Sequence, residues 1–178
     1  MKKILFLLIS AIITNFGFSQ CNGRYETEIF DSVTTIANVY YSDVYIDNAH
    51  TMDIYMPYGD SVINRPVILY MHGGSFYGGD KAMTDCVDFC ESMAKKGYIT
   101  ASLNYRLAAD MFGFLISNEI QYETVLKAVS DAKAAVRYLR KDFDNGDSYG
   151  IDPNTIFAGG YSAGAVTAIH QAYIDDIF

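Results

Sequence analysis

Ile156-Phe157-Ala158-Gly159-Gly160-Tyr161-Ser162-Ala163-Gly164-Ala165 passes from a short apolar run, through a Gly-x-Ser-x-Gly pentad, into an Ala-rich segment that continues from Val166 to Ile174. Strand, tight turn and helix in that order are the setting that a projecting serine needs. A serine held out from a sharp corner has strained backbone angles, so the residues two places either side must lack clashing side chains. A helix beginning at Ala163 then brings free N–H groups and the positive end of its dipole beside the serine oxygen. At average composition such a pentad arises by chance in about one chain of this length in twenty, so a plain glycine turn explains the pentad alone equally well. Its surroundings and a second glycine-rich loop upstream decide between the two.

That second loop is His72-Gly73-Gly74-Ser75-Phe76-Tyr77-Gly78-Gly79-Asp80. It follows Pro66-Val67-Ile68-Leu69-Tyr70-Met71, a continuous apolar run of the kind a strand covered on both faces shows. Upstream, Val33 to Tyr45 is rich in Val, Ile, Thr and Tyr and predicts a strand or hairpin at the domain edge. Met52 to Met56 predicts a second strand that stops at Pro57. Residues 22–33 read as irregular and Tyr58 to Arg65 as a turn. Downstream, apolar residues at 83, 86, 87, 90 and 94 predict a helix over Met83 to Lys96, stopped by Gly97.

Tyr98 to Leu103 predicts another strand. Ala108 to Ser117 shows neither period, and a loop over the site is one reading of it. Val125, Val129, Ala132, Val136 and Leu139 predict a helix over Gln121 to Arg140. Asn145-Gly146-Asp147 is a turn, and Asp152-Pro153-Asn154 leads into the strand before Ser162. Strands alternating with helices predict a mostly parallel sheet covered on both faces, with any site beyond the carboxyl ends of its strands. Both glycine-rich loops fall at that end.

The chain has 178 residues, 51% hydrophobic and 19% charged, which suffices for one globular domain with a substantial core. The formal net charge is −8, with no basic stripe, which argues against nucleic acid as a partner. Met1-Lys2-Lys3, the apolar run Ile4 to Ile13 and Gly17-Phe18-Ser19-Gln20 read as a secretory signal peptide over residues 1–20, too short for a membrane span. Cys21 follows at once, which raises lipid modification. Gln20 departs from the small residue such a site prefers, so a soluble exported protein ranks ahead of a lipoprotein.

Cys86 and Cys90, four apart on one helix, have Cβ atoms about 5–6 Å apart, where a disulfide needs about 3.8 Å. They are not expected to bond each other. Cys21 with either, or two buried small hydrophobes, both remain open readings. Three sulfurs with no histidine near do not suggest zinc. Gly73, Gly74, Gly78 and Gly79 do not match a G-x-G-x-x-G spacing, and no nucleotide, flavin or other cofactor is indicated.

The loop His72-Gly73-Gly74-Ser75-Phe76 resembles the HGGG-type loop of lipases and esterases. Together with the pentad, with Asn104-Tyr105-Arg106-Leu107, with Asp131 to Leu139 and with Gly150-Ile151-Asp152-Pro153, it resembles the carboxylesterase and hormone-sensitive-lipase-like branch of the α/β-hydrolase fold. The likeness covers most of the chain after Met52. It implies that Ser162 is the acyl-accepting nucleophile of a serine ester hydrolase acting on small-molecule esters, which the reading of residues 1–20 makes a secreted one. Backbone N–H groups of Gly74, Ser75 and Ala163 would face the oxyanion, where each such donor contributes about 3–4 kcal/mol. One departure is Ser75, where the family loop has a third glycine.

A second departure concerns the triad, which in this fold runs Ser, then Asp or Glu, then His. Only sixteen residues follow Ser162. His170 lies eight places along the same helix, about 12 Å away along its axis. His72 resembles a loop-shaping residue, His50 precedes a strand, and Asp175 and Asp176 follow the helix with no strand to place them. The expected architecture is therefore a partial α/β-hydrolase three-layer sandwich: residues 21–178 form the amino-terminal part of one domain, truncated after the nucleophile helix. The strand at 156–160 is expected at an open sheet edge, and the isolated chain is expected to be inactive. Two other readings stand beside this one: a prolyl-oligopeptidase-type serine peptidase, which shares the pentad, and a non-catalytic binding module on a hydrolase scaffold. The acyl and alcohol parts of the substrate and the oligomeric state have no signal in the sequence.

Overall fold

In a computed structural model the described residues are 22–174. The expected signal peptide, Cys21, Asp175 and Asp176 lie outside them. The elements are β1 (Val33–Tyr40), β2 (Thr51–Pro57), β3 (Arg65–Met71), α1 (Thr84–Lys95), β4 (Ile99–Leu103), α2 (Met111–Ile116), α3 (Asn118–Asp144), β5 (Ile151–Gly160) and α4 (Ala163–Tyr173).

The five strands form one sheet in the order β1-β2-β4-β3-β5. β3 pairs in parallel with both β4 and β5, while β2 is antiparallel to β1 and β4. The parallel sheet expected from the alternation is thus β4, β3 and β5, with β1 and β2 as an antiparallel flank. The chain leaves β3 for β4 on one side and returns to β5 on the other. That reversal leaves a crevice at the carboxyl end of β3. Among the described residues β5 is an edge strand, as expected.

Period-two alternation divides the strand side chains between two faces. Ile54, Leu69 and Ala101 face α3 and α4, meeting Ala128, Ala132, Ala135, Leu139, Ala163 and Ala168 in the main core. Tyr55 and Tyr70 face α1, meeting Cys90, Ala94 and Phe89, and the Tyr70 and Phe89 rings stack at 4.2 Å. The result is three layers. Alanines on α3 and α4 let their backbones approach the sheet closely, and the apolar area removed from water contributes roughly 25 cal/mol per Å².

Two segments extend beyond their expected bounds. The helix expected over 121–140 begins at Asn118, where the Ser117 hydroxyl accepts from the Ile120 N–H at 3.4 Å. The preceding stretch, read as a loop, holds the six-residue helix α2. β5 starts at Ile151 and runs through Pro153; a proline's missing N–H is tolerated on an edge strand.

Residues 22–30 are irregular, as expected, but tied down. Tyr25 and Ile29 donate to the carbonyls of Lys96 and Lys95 at the end of α1, at 2.7 and 3.0 Å. Arg24 pairs with Asp60 and donates to the Gly97 carbonyl at 3.2 Å. Burial alone would raise the Asp60 carboxyl, but Arg24, the Val62 N–H and Arg65 outweigh it and hold it below the usual carboxylate range. A depressed folded value contributes stability above the unfolded value of about 3.9 and loses it as pH falls through the folded value. Thermal stability should therefore be level from neutral pH to about pH 5 and fall steeply below about pH 4. Asp60→Asn should flatten that acid limb and cost about 2 kcal/mol at pH 7 by removing charge-assisted bonds. Melting curves across pH check both; an unchanged acid limb in the variant would refute the assignment.

Candidate active site

β3 and β5 end level, with Met71 opposite Gly160. The Tyr161 N–H continues the ladder by donating to the Met71 carbonyl at 3.2 Å. The loops that follow each strand therefore meet. A Cβ placed on Gly73 would lie 3.5 Å from the Cβ of Ser162 and 2.9 Å from Cδ1 of Tyr161. This convergence was expected from two separate glycine-rich segments, and it is what the fold delivers.

Ser162 stands at φ 51°, ψ −114°, exposed, between the end of β5 and the start of α4. Such angles are costly for a residue with a Cβ, of order 1–3 kcal/mol, and persist only where neighbours enforce them. The enforcement comes from the glycines. A Cβ on Gly160 would lie 2.5 Å from the Met71 carbonyl oxygen, and one on Gly164 only 2.0 Å from the same atom. With no side chain at either position, α4 crosses directly over the end of β3. The Ser162 hydroxyl makes no hydrogen bond to any described residue.

The loop from 72 to 80 turns tightly, with Tyr77 and Gly78 both donating to the Gly74 carbonyl at 3.1 and 3.0 Å. Gly74 is at φ 118°, and Ser75 and Phe76 follow at φ 55° and 63°. Ser75 thus occupies a left-handed conformation that the glycine of the resembled loop would adopt at no cost, so the substitution keeps the turn and adds strain. Gly74 and Ser75 are exposed. Among the described residues, their N–H groups and that of Ala163, the first residue of α4, meet no acceptor. Three unpaired donors thus lie in the two segments that flank Ser162.

His72 shapes this loop. Its Nδ1 lies 2.6 Å from the Gly73 carbonyl, its ring stacks on Tyr105 at 4.4 Å, and the Tyr105 hydroxyl donates to the His72 carbonyl at 2.6 Å. Burial pushes its pKa below the ordinary histidine value against the opposing Gly73 bond. A neutral ring whose Nδ1–H faces a carbonyl is a strut, not a base for Ser162.

The other histidines are engaged elsewhere. His50 is buried with Nδ1 2.7 Å from Asp47 and Nε2 3.5 Å from Asp131. His170 is exposed on α4 and turns Nδ1 back onto the Val166 carbonyl at 2.8 Å. Asp131 receives the backbone N–H of Arg106 at 2.9 Å and its Nη2 at 2.7 Å. The Asn104–Leu107 and Asp131–Leu139 segments thus meet in one ion pair that holds α3 to the end of β4.

Cys86 and Cys90 are buried unbonded thiols, pushed up by burial to about 11 and about 12. Among the described residues no cluster of His, Cys, Asp or Glu could hold a metal, and no helix is long and apolar enough to cross a membrane.

Two of the residues that hold the loop's exit, Lys81 and Ser102, were not singled out in the sequence, and Asp80 and Asn104 were read only as parts of the glycine-rich loop and of the Asn104–Leu107 segment. Lys81, 5% exposed, is among the most deeply buried charges of the chain. The one available signal was the Asp80-Lys81 pair directly after Gly78-Gly79, in a region otherwise poor in charge.

A family model described as BD-FAE matches residues 52–177. The chain is 27% identical over 165 residues to isoprenylcysteine alpha-carbonyl methylesterase of Arabidopsis thaliana, covering 93% of this chain and 33% of that protein. It is 33% identical over 104 residues to para-nitrobenzyl esterase of Bacillus subtilis, covering 58% and 20%. Among solved structures it resembles a bacterial heroin esterase, with a TM-score of 0.55 at 24% identity over 95% of this chain and 44% of that one. An esterase from Thermogutta terrifontis gives 0.56 at 22% identity, covering 79% and 47%. The chain spans a third or less of the two curated relatives and under half of each solved structure. These likenesses identify the fold as α/β-hydrolase.

Proposed function

The chain belongs to the BD-FAE family, and on that premise we propose that it is the amino-terminal, nucleophile-bearing part of an exported serine ester hydrolase of carboxylesterase type. The observation that carries this is the left-handed corner at Ser162 set beside unpaired N–H groups of the 72–80 loop. The Ser162 oxygen adds to the ester carbonyl carbon while its proton passes to a base. The carbonyl oxygen gains the negative charge and is held by the N–H groups of Gly74, Ser75 and Ala163. Collapse expels the alcohol, which takes the proton from the base. Water then cleaves the acyl-Ser162 ester to release the carboxylic acid and restore the hydroxyl.

The base and its orienting acid come, in this reading, from sequence following Phe178. Two observations support that: the three histidine rings present are engaged away from Ser162, and the relatives are two to five times longer than their matched regions. Export rests on the residue pattern of positions 1–20.

A fluorophosphonate probe tests the assignment, because it reacts only with an activated serine. The full-length protein should carry one adduct, located by mass spectrometry on Ser162, and the 178-residue chain should stay unlabelled. An adduct elsewhere, or none on the full-length protein, would sink the proposal. Rapid labelling of the 178-residue chain would instead show that the base lies within it.

A further inference from the structure

The exit of the 72–80 loop is clamped more completely than its entry. The backbone N–H of Lys81 donates to Asn104 Oδ1 at 2.6 Å, and its carbonyl accepts from the Ser102 hydroxyl at 2.7 Å. Its ammonium reaches Asp53 Oδ1 at 2.7 Å and Asn38 Oδ1 at 3.0 Å. Lys81 and Asp53 are 5% and 6% exposed. Every polar group of Lys81 is thus committed to the sheet: to β4 through Ser102, to the segment just after β4 through Asn104, to β2 through Asp53, and to β1 through Asn38.

The clamp has been built at some cost. Asn38 sits at φ 57° where the β1–β2 register shifts between Ile36 and Val39, and its N–H also donates to Asp53 Oδ1 at 2.7 Å. The bulge is what aims Asn38 at the ion pair. Asn104 completes the frame by donating to Asp80 Oδ2 at 3.1 Å and to the Asn48 carbonyl at 3.0 Å. Burying two charges is a poor way to gain stability, since well-packed apolar residues of similar volume often serve as well or better. What such a pair does supply is one fixed geometry.

The clamp connects mechanically to the donors. Gly79, two residues before Lys81, packs so tightly on the start of the loop that a Cβ there would lie 2.2 Å from His72 Nδ1 and 2.3 Å from the Gly73 carbonyl oxygen. A shift of Lys81 therefore moves Gly79 against Gly73, the residue before the Gly74 and Ser75 N–H groups.

We propose that Lys81 and Asp53 are positioning residues for the oxyanion donors, acting through Gly79 and the 72–80 loop; this rests on the serine hydrolase reading above. Misplacing a preorganised donor by a fraction of an ångström weakens its hold on the transition state and leaves ground-state ester binding nearly unchanged. The loss should therefore appear in kcat rather than in KM.

The test uses the full-length protein and p-nitrophenyl acetate. Lys81→Met with Asp53→Leu together remove both charges and leave none unpaired. This double variant should melt near the parent, lose roughly 10–100-fold in kcat and keep KM within about twofold. Ser102→Ala removes one oxygen from the same clamp with almost no change in volume and should lower kcat about fivefold with KM unchanged. It decides the matter if the double variant does not fold. A folded double variant, or a Ser102→Ala enzyme, with parental kcat overturns the inference, as does a loss confined to KM. Ser162→Ala run alongside separates the two levels. If it abolishes turnover while the clamp variants keep parental rates, only the clamp inference fails; if it retains turnover, the serine reading and the clamp fall together.

Discussion

Replacing Ser162 with alanine in the full-length protein is expected to lower kcat for acyl esters by roughly five to six orders of magnitude. The hydroxyl is the acyl acceptor in the proposed reaction. Cys86 and Cys90 are buried on the sheet-facing side of α1 with their pKa values raised by burial, so neither supplies a thiolate near neutral pH. The donors of the 72–80 loop would still polarise the carbonyl toward attack by water, which leaves a residual rate above background. Folding should be little affected, because the Ser162 hydroxyl bonds to nothing among the described residues and alanine has the same backbone preferences. Ser162→Gly should go further and stabilise the protein by about 1 kcal/mol, since glycine adopts φ 51° without strain. The pair of measurements is turnover and melting temperature: equally inactive variants with Gly more stable than Ala is the expected result. A Ser162→Gly protein less stable than Ser162→Ala would contradict the strain at this corner.

Gly164→Ala is expected to have the largest effect on the fold. The added methyl would stand 2.0 Å from the Met71 carbonyl oxygen, 2.6 Å from its carbon and 2.7 Å from the His72 oxygen. All three are backbone atoms at or just past the end of β3, so no rotamer change relieves the overlap. α4 must lift off β3, and with it go the packing of Ala163 and Ala168 and the approach of Ser162 to the 72–80 loop. The cost should be about 3 kcal/mol or more, which for a chain of this size lowers the melting temperature by roughly 10 °C. Gly159→Ala is the control, because a Cβ there meets nothing within 4 Å; it should shift stability by no more than about 0.5 kcal/mol. Equal melting temperatures for the two variants would mean that α4 does not cross β3 as closely as described.

The contrast between Gly164 and Gly159 also shows what could be read from residue types. Gly73, Gly74, Gly160 and Gly164 mark places where two backbones come within reach, so both loops, and the end of the sheet at which they meet, were legible. The helical period placed Cys86, Cys90 and Ala94 on the buried face of α1, where they lie. α2 was not legible because its order is tertiary. It is six residues long with Gly113 in the middle, and Gln121 holds it by donating to the Phe114 carbonyl at 2.8 Å. The antiparallel flank escaped notice for a related reason: nothing local to Met52–Met56 states that its neighbour will be β4 rather than β3. The Lys81–Asp53 pair joins residues far apart in sequence across a bulge, and no periodicity announces that. The role of His72 was legible from its place in the loop, whereas its partner Tyr105 was not.

The position of β4 between β2 and β3 has a consequence for synthesis. As the polypeptide leaves the ribosome, β1 and β2 can zip at once, but β3 emerges with no neighbour until Ile99 to Leu103 appears. At roughly 5–20 residues per second, the Val67-Ile68-Leu69 run stays uncovered for a second or more, long enough for a chaperone, or another nascent chain, to reach it first.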